Sequence, residues 1–389
     1  MEKKKEKCIV HVGRYHRKDD IRIFCKECNS LLNAGYRVCY VTSDVYGDKG
    51  QCEVDGIQIG FYENKNFYLS FRRDILQILN QRKKWIDEVV DYILSFNPDV
   101  VHIHEYEIIF VARPLLKRNR NLKIVYDIHE DNPRQQGEWY RRNKGERTAR
   151  IAEKIVECKE RRVIKKSAIV FSATDYISAL ISPYHKNVHT VRNYPKSDDI
   201  ICSNDDLKER ENIYCYSGGI TEDRGISLLT KNSDAIKGKF LLAGNMEKTY
   251  QDALAKEYTD KWNSNVEYKG YLTREQINGL YSQSVVGMCT LQFQPNYINA
   301  LPIKMFEYMA AGIPVVCSNF PLWKKIVEDA ECGIAVDPYD EKAIVEAVNL
   351  LLGDRDLAKR LGDNGQKAIR EKYNWEHEAA TIVNAYKNI

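Results

Sequence analysis

No run of apolar residues in this 389-residue chain approaches the ~18 that cross a bilayer, which excludes a membrane-spanning helix. No apolar leader is expected either. Met-Glu-Lys-Lys-Lys-Glu-Lys passes straight into Cys8-Ile9-Val10-His11-Val12, an expected buried strand, so a cytoplasmic location is expected. The 11 cysteines form no disulfide framework, because the number is odd and Cys8, Cys39, Cys215, Cys289 and Cys317 fall inside apolar strand-like runs, where a thiol acts as a small hydrophobe. Cys25 and Cys28 lack a second pair at zinc-ligand spacing and read as two positions on a helix. Zinc-finger spacing, an RNA-binding aromatic signature and basic-aromatic interleaving are absent, so nucleic acid is not an expected partner. No Gly-x-Gly-x-x-Gly follows the first strand, which counts against a dinucleotide-dependent dehydrogenase. Nor does a loop carry Asp-x-Asp, so no cofactor and no metal are expected.

What is present is a chain 43% hydrophobic and 29% charged, long enough for two domains. Short β-rich runs alternate with longer amphipathic ones, the pattern of parallel sheets with crossover helices. Strands are expected at 8–13, 37–42, 56–62, 100–105, 123–129 and 168–173, then at 213–218, 239–244, 266–270, 286–291, 314–318 and 333–337. Helices are expected at 20–35, about 70–96 and 138–166. The fold class is therefore α/β, with two Rossmann-like domains, 1–196 and 197–372, and a final segment, 373–389, that crosses back onto the first. Turn residues without periodicity over 193–212 mark the boundary. In such sheets ligands sit beyond the carboxyl ends of the strands, so two facing domains would hold two ligands across a cleft. Residues 1–196 carry 37 Lys and Arg against 26 Asp and Glu, and the remainder 22 against 29. The basic excess would suit anionic lipid headgroups or simply solvated helix faces.

The segment Asn296 to Val316 carries the sharpest chemical signal. Pro302 suits a helix start and Gly312 its end, which leaves unpaired N–H groups and a helix dipole near 301–304, where Lys304 adds a positive charge suited to a diphosphate. Glu307, one turn on, could accept hydrogen bonds from sugar hydroxyls. This segment resembles the C-terminal signature of retaining glycosyltransferases of family 4, whose GT-B fold is two Rossmann-like domains. Blocks at 20–27, 100–105, 125–130, 191–195, 217–225 and 372–375 are similar, in order and spacing, to the bacterial surface-polysaccharide branch.

The resemblance implies that Glu307, the second acid of the family's Glu-x7-Glu pattern, binds the nucleotide ribose, with Asn299 where the family has the first acid, which reaches the donor sugar, next to the donor-binding Ala300, Leu301 and Ile303. It implies phosphate binding by Arg224 and Lys304, with Gly218 and Gly219 in the same loop; Gly219 stands where the family has an arginine. His129 matches the histidine near the donor's anomeric carbon, while Tyr271, Leu272 and Asn245 follow strand ends on the base side. His129, Arg224, Lys304 and Glu307 are thus the expected catalytic set. Gly13, Arg14, His16, His104 and Glu105 are expected on the acceptor side, the charged Gly13–Arg17 loop suiting an anionic acceptor. The expected activity is metal-independent, retaining transfer of a sugar from a nucleoside diphosphate sugar to a glycan or lipid-linked acceptor in surface polysaccharide biosynthesis, with peripheral contact to an anionic membrane. A silent glycan-binding or assembly scaffold and a nucleotide-sugar epimerase are the alternatives.

Overall fold

A computed structural model describes residues 6–67, 75–199 and 207–389. The first five residues of the helix expected over 70–96, and 200–206 of the expected boundary, lie outside the described residues. The chain forms two compact units, Met1–Arg192 with Glu378–Ile389, and Asn193–His377.

In the first unit the strands are β1 (Cys8–Val12), β2 (Arg37–Ser43), β3 (Gln51–Val54), β4 (Ile57–Tyr62), β5 (Val100–His104), β6 (Lys123–Ile128), β7 (Ile169–Ser172) and β8 (Val188–Thr190). They form one sheet in the order β3-β4-β2-β1-β5-β6-β7-β8, parallel except for the antiparallel β3–β4 pair. Every residue of β1 and β5 is buried, as expected of central parallel strands covered on both faces. The second unit has β9 (Ile213–Ser217), β10 (Lys239–Ala243), β11 (Val266–Tyr268), β12 (Val286–Cys289), β13 (Val315–Ser318) and β14 (Gly333–Val336). Its sheet is wholly parallel, ordered β11-β10-β9-β12-β13-β14. The α/β class and the two parallel-sheet domains expected from the sequence are what the chain adopts.

Strand order reverses between β1 and β5 in the first sheet and between β9 and β12 in the second. These switch points open crevices at the carboxyl ends of strands, where ligands of such sheets bind.

Three local differences bear on function. The helix expected over 20–35 is a π-helix, Ile23–Cys28, that passes into a short α-helix, Asn29–Asn33. Asp20 caps its start by accepting from the N–H groups of Arg22 and Ile23 at 2.9 and 2.8 Å. The wider turn, with Glu27 N–H donating to Arg22 O at 3.0 Å, accompanies burial of Arg22, Lys26 and Glu27, and π-turns of this kind cluster at functional sites. The long helix expected over 138–166 is two, Asn132–Lys144 and Glu146–Ile164. Gly145 sits between them at φ 86°, a conformation that costs glycine little. Strands β3 and β8 fall outside the expected set; β3 is a solvent-facing edge without apolar alternation, and β8 has only three residues. Among the described residues no helix is long and apolar enough to cross a membrane.

Candidate functional site

The second unit gathers an anion-binding arrangement at its switch point. The helix Ile303–Ala310 starts at Pro302 with no side-chain cap, leaving its first N–H groups for a ligand. Lys304 points back to the end of β9, where its Nζ donates to the Tyr216 hydroxyl at 2.8 Å and lies 3.9 Å from the centre of that ring. Its ammonium is about nine-tenths buried and forms no ion pair with a described carboxylate. Burial therefore lowers its pKa to about 8, and the cation of Arg224 pushes the same way. Gly218 keeps this space open, since a Cβ there would lie 3.2 Å from Lys304 Nζ. Arg224 closes a short turn, Glu222–Arg224, and its guanidinium stacks 4.6 Å from the centre of the Tyr297 ring.

Glu307 lies one turn beyond Lys304 and is held on both oxygens. Arg274 donates to Oε1, and Tyr281 donates to Oε2 at 2.8 Å while lying 2.6 Å from the Ser217 hydroxyl. Burial works against the charge of Arg274, yet the Glu307 carboxylate outweighs it and holds the guanidinium pKa up. A carboxylate fixed in this way keeps lone pairs for a diol.

The loop that carries Gly218 and Gly219 is pinned to the next strand end. Gly218 N–H donates to Ala243 O at 3.0 Å, and Ile220 N–H to Asn245 O at 2.9 Å. Gly244 in turn donates to Gly270 O at 2.8 Å, which brings the ends of β9, β10 and β11 together. Gly219 has open space where a side chain would project, so the missing arginine leaves a gap there. Asn245 and Tyr271 are exposed, and Leu272 is half-buried. Asn299 caps the four-residue helix Pro295–Ile298, the Ala300 carbonyl accepts from Trp323 Nε1 at 2.7 Å, Leu301 is half-buried and Ile303 is exposed.

The first unit builds a different site at its own switch point. Five of the chain's eight histidines converge there: His11 from β1, His102 and His104 from β5, His129 after β6, and His16 from the loop after β1. His129 Nε2 lies 2.8 Å from Asp127 Oδ2, and its Nδ1 lies 2.9 Å from Glu105 Oε1. Although burial opposes the charge, Asp127 and Glu105 raise the pKa of His129 to about 10. His16, bridged to Asp20 and Glu105 at 3.1 Å each, is raised to about 9 against the same burial. Glu105, between these two imidazolium rings, has its pKa lowered by them in spite of its burial. It adopts φ 66° and ψ 169°, a region that strains any residue but glycine by about 1–3 kcal/mol.

Beneath this pair lies a second layer. Arg22 reaches Asp127 at 2.9 Å and Glu27 at 3.0 Å, and holds the Asp127 carboxyl well down despite burial. Glu27 is pushed up by burial and by Asp127. His11 Nδ1 and His104 Nε2 are 2.9 Å apart, and His102 Nδ1 meets the Tyr386 hydroxyl at 2.9 Å. Burial lowers the pKa of all three, that of His104 to about 4. His11, Glu27, His102 and His104 offer ligand atoms within 4.8 Å of one another, as do Glu27, His104, Asp127 and His129, and also His16, Glu105 and His129. Arg22 already places a cation between Glu27 and Asp127.

Two expectations are corrected here. His104 is fully buried and cannot touch an acceptor; it supports Asp127 from below. Both ring nitrogens of His129 are engaged by carboxylates, so in this state the ring offers no nitrogen to a sugar. Of the other residues expected on the acceptor side, Gly13 lies against His16 and His16 meets Glu105, whereas the Arg14 guanidinium turns to Asn64, Asn66 and the Trp85 ring. The sequence reading missed Arg22, Glu27, Asp127, Arg274 and Tyr281. A charged Asp127 inside the apolar run Ile124-Val-Tyr-Asp-Ile was the one signal that could have exposed the buried network, because an unpaired charge is not buried.

Residues 25–193 match Glycosyltransferase Family 4, and residues 200–368 match Glycosyl transferases group 1. The chain has the GT-B fold, and each of its two units matches a glycosyltransferase family. An uncharacterised glycosyltransferase of Methanocaldococcus jannaschii is 27% identical over 186 residues, 46% of each chain. The alpha-D-kanosaminyltransferase of Streptomyces kanamyceticus is 23% identical over 62% of this chain and 65% of its own. The GT-B chain thus spans less than two thirds of the length of these relatives. Its fold is shared with sucrose-phosphate synthase from Thermosynechococcus elongatus, at TM-score 0.76 and 18% identity, covering 98% of this chain and 99% of that one. It is shared as well with Anabaena HepE, solved with UDP and glucose, at TM-score 0.73 and 12% identity over 99% and 100% of the two chains.

Proposed function

We propose that this chain is a retaining, metal-independent glycosyltransferase that moves a sugar from a nucleoside diphosphate donor to a glycan or lipid-linked acceptor in surface polysaccharide assembly, at the inner face of the membrane. The observation that carries the reading is Lys304, a buried ammonium with no carboxylate partner among the described residues, at an uncapped helix start. A diphosphate supplies the missing negative charge, and the N–H groups of the helix supply its hydrogen bonds. Arg224 adds a second cation that matches phosphate oxygens, and Glu307 accepts from the ribose diol.

Departure of the nucleoside diphosphate leaves charge on its terminal phosphate, and Lys304, Arg224 and the helix start stabilise that charge as the glycosidic bond breaks. The acceptor hydroxyl attacks the same face of the sugar and passes its proton to the departing phosphate oxygen. No metal is needed, because these groups carry the positive charge a metal would supply. In the first unit the cation of Arg14 favours an anionic acceptor, while the imidazolium rings of His16 and His129 are already met by Asp20, Glu105 and Asp127.

A thermal-shift screen against nucleoside diphosphates and their sugar conjugates tests the reading, since a ligand of the native state raises the Tm. One base is expected to give a clear shift that survives EDTA. No shift with any nucleotide well above millimolar concentration overturns the reading in favour of a silent scaffold. Arg224→Ala is expected to lower kcat by 10²-fold or more with little change in nucleotide affinity, the mark of a group that acts on developing charge.

A further inference from the structure

Beside the switch point of the first unit, the loops that follow β1 and β5 border a cavity of about 950 Å³, at the upper end of the range for ligand sites. Its floor is apolar: Phe67, Trp85, Tyr106, Ile109, Phe110 and Leu116. Trp85 is buried, and the Phe67 and Phe110 rings pack on it with centroids 5.6 and 5.1 Å away. The rim is cationic. Arg82, Arg113, Lys159, Arg162, Lys165 and Lys166 line it, all six exposed, and none forms an ion pair with a described residue. Arg14 closes one side, its guanidinium 5.2 Å from the centre of the Trp85 ring and bonded to Asn64, Lys65 O and Asn66. Glu107 is the only acid lining the cavity among the described residues.

A solvated basic face usually alternates its signs, as the neighbouring helix surface does where Arg141 meets Glu138, Glu146 and Glu153. Around the cavity Lys65 alone of the lining cations is paired with a described carboxylate, that of Glu63 at 2.7 Å and, more distantly, Glu88. A ring of cations over an aromatic floor complements a molecule with an anionic head and an apolar chain. It suits a bare sugar poorly, for sugar hydroxyls need carboxylates and amides, and only Glu107, Asn66 and Gln136 offer them here.

We infer that this cavity binds the lipid diphosphate anchor of the acceptor, with the chain on the Trp85–Phe110 floor and the diphosphate among the rim arginines and lysines. The inference rests on the transferase reading and narrows its acceptor to a lipid-linked one, taken as a single molecule rather than as a bilayer surface. Glu107, whose carboxyl is pushed up by burial and then by Glu105, offers the diphosphate little repulsion. The same Arg14 that faces this cavity belongs to the loop carrying His16, so an anchored acceptor would have its sugar end directed toward the histidine site of the same unit.

Farnesyl diphosphate, farnesol and inorganic diphosphate, titrated separately into the full chain, test the inference. Farnesyl diphosphate is expected to bind at least tenfold more tightly than either other compound and to change tryptophan emission, a change lost in Trp85→Phe. The double variant Arg113→Glu with Arg162→Glu, both on the exposed rim, should weaken that binding tenfold or more. Equal affinity for inorganic and farnesyl diphosphate, or affinity unchanged in the double variant, overturns the inference. So does binding to vesicles of phosphatidylglycerol without binding to farnesyl diphosphate, which would make the rim a membrane-facing patch. Nucleoside diphosphate shifts measured on the same samples separate the two failures. A shift retained while farnesyl diphosphate fails to bind removes this inference alone, whereas loss of every nucleotide shift removes the transferase reading beneath it.

Discussion

Lys304 is kept charged at a cost. A lysine held near 8 in the folded chain and near 10.4 when unfolded disfavours folding at pH 7 by about 3 kcal/mol, and the unfolded chain binds the extra proton as pH rises between those values. A diphosphate would offset that cost by restoring the counter-charge. Lys304→Met keeps the stem packed on Tyr216 and removes the ammonium, while the Tyr216 hydroxyl still donates to Gly219 O at 2.8 Å. The expected result is a ligand-free protein whose Tm rises by roughly 2–10 °C and whose nucleotide-induced shift disappears. Scanning calorimetry with and without nucleotide measures both. A variant that loses stability while keeping its nucleotide shift would show that the lysine is a packing residue. The wild-type chain should bind its nucleotide less tightly as pH rises through 8, because the ammonium that meets the phosphate is then lost.

Among the elements, the tightest constraint on the second unit's site is the approach of two strand ends. Gly244 has φ 137°, and a Cβ there would lie 1.8 Å from the carbonyl oxygen of Gly218. Gly244→Ala therefore has no relaxed solution and must push the Gly218–Gly219 loop away from Lys304. A loss of roughly 3 kcal/mol or more is expected from urea unfolding, with nucleotide binding weakened in parallel; an unperturbed Tm would refute the close approach. These elements were unequally legible in the sequence. Buried central strands such as Cys8–Val12 announce themselves as unbroken apolar runs, and the helix start at Ile303 is marked by Pro302. Strand β3 is invisible because an exposed edge needs no apolar alternation, and the π-turn at Ile23–Cys28 depends on three-dimensional partners for Arg22 and Glu27. For the same reason Glu307 was legible as a candidate, whereas Arg274 and Tyr281, which fix its geometry, lie 33 and 26 residues away with nothing local to mark them. His104 illustrates the opposite error, since a histidine at a strand end reads as a site residue until its burial is known.

At the scale of the molecule, the five clustered histidines divide into two groups whose titrations oppose one another. His129 and His16 have folded pKa values raised to about 10 and about 9, so their contribution to stability is fully present below the unfolded value near 6.5 and is lost as pH rises through 9 to 10. His11, His102 and His104 are lowered. They cost nothing above 6.5, but below it the unfolded chain takes up protons that the folded chain refuses, and stability falls toward pH 4. The carboxylates of Asp127 and Glu105, both lowered, add their own loss as pH falls below about 4.5. Stability of the first unit should therefore peak near pH 6.5 and decline on both sides. Glu105→Gln removes the anion shared by His16 and His129 while leaving the buried trio untouched. It should flatten the alkaline limb and remove Glu105's own share of the loss below about pH 4.5, while the fall that the buried trio causes below 6.5 remains, with the His129 and His16 pKa values moving down toward 6.5 in an NMR titration. A variant whose alkaline limb is unchanged would mean that Asp127 and Asp20 alone hold the two rings charged, and that the strained backbone at Glu105 serves some other contact.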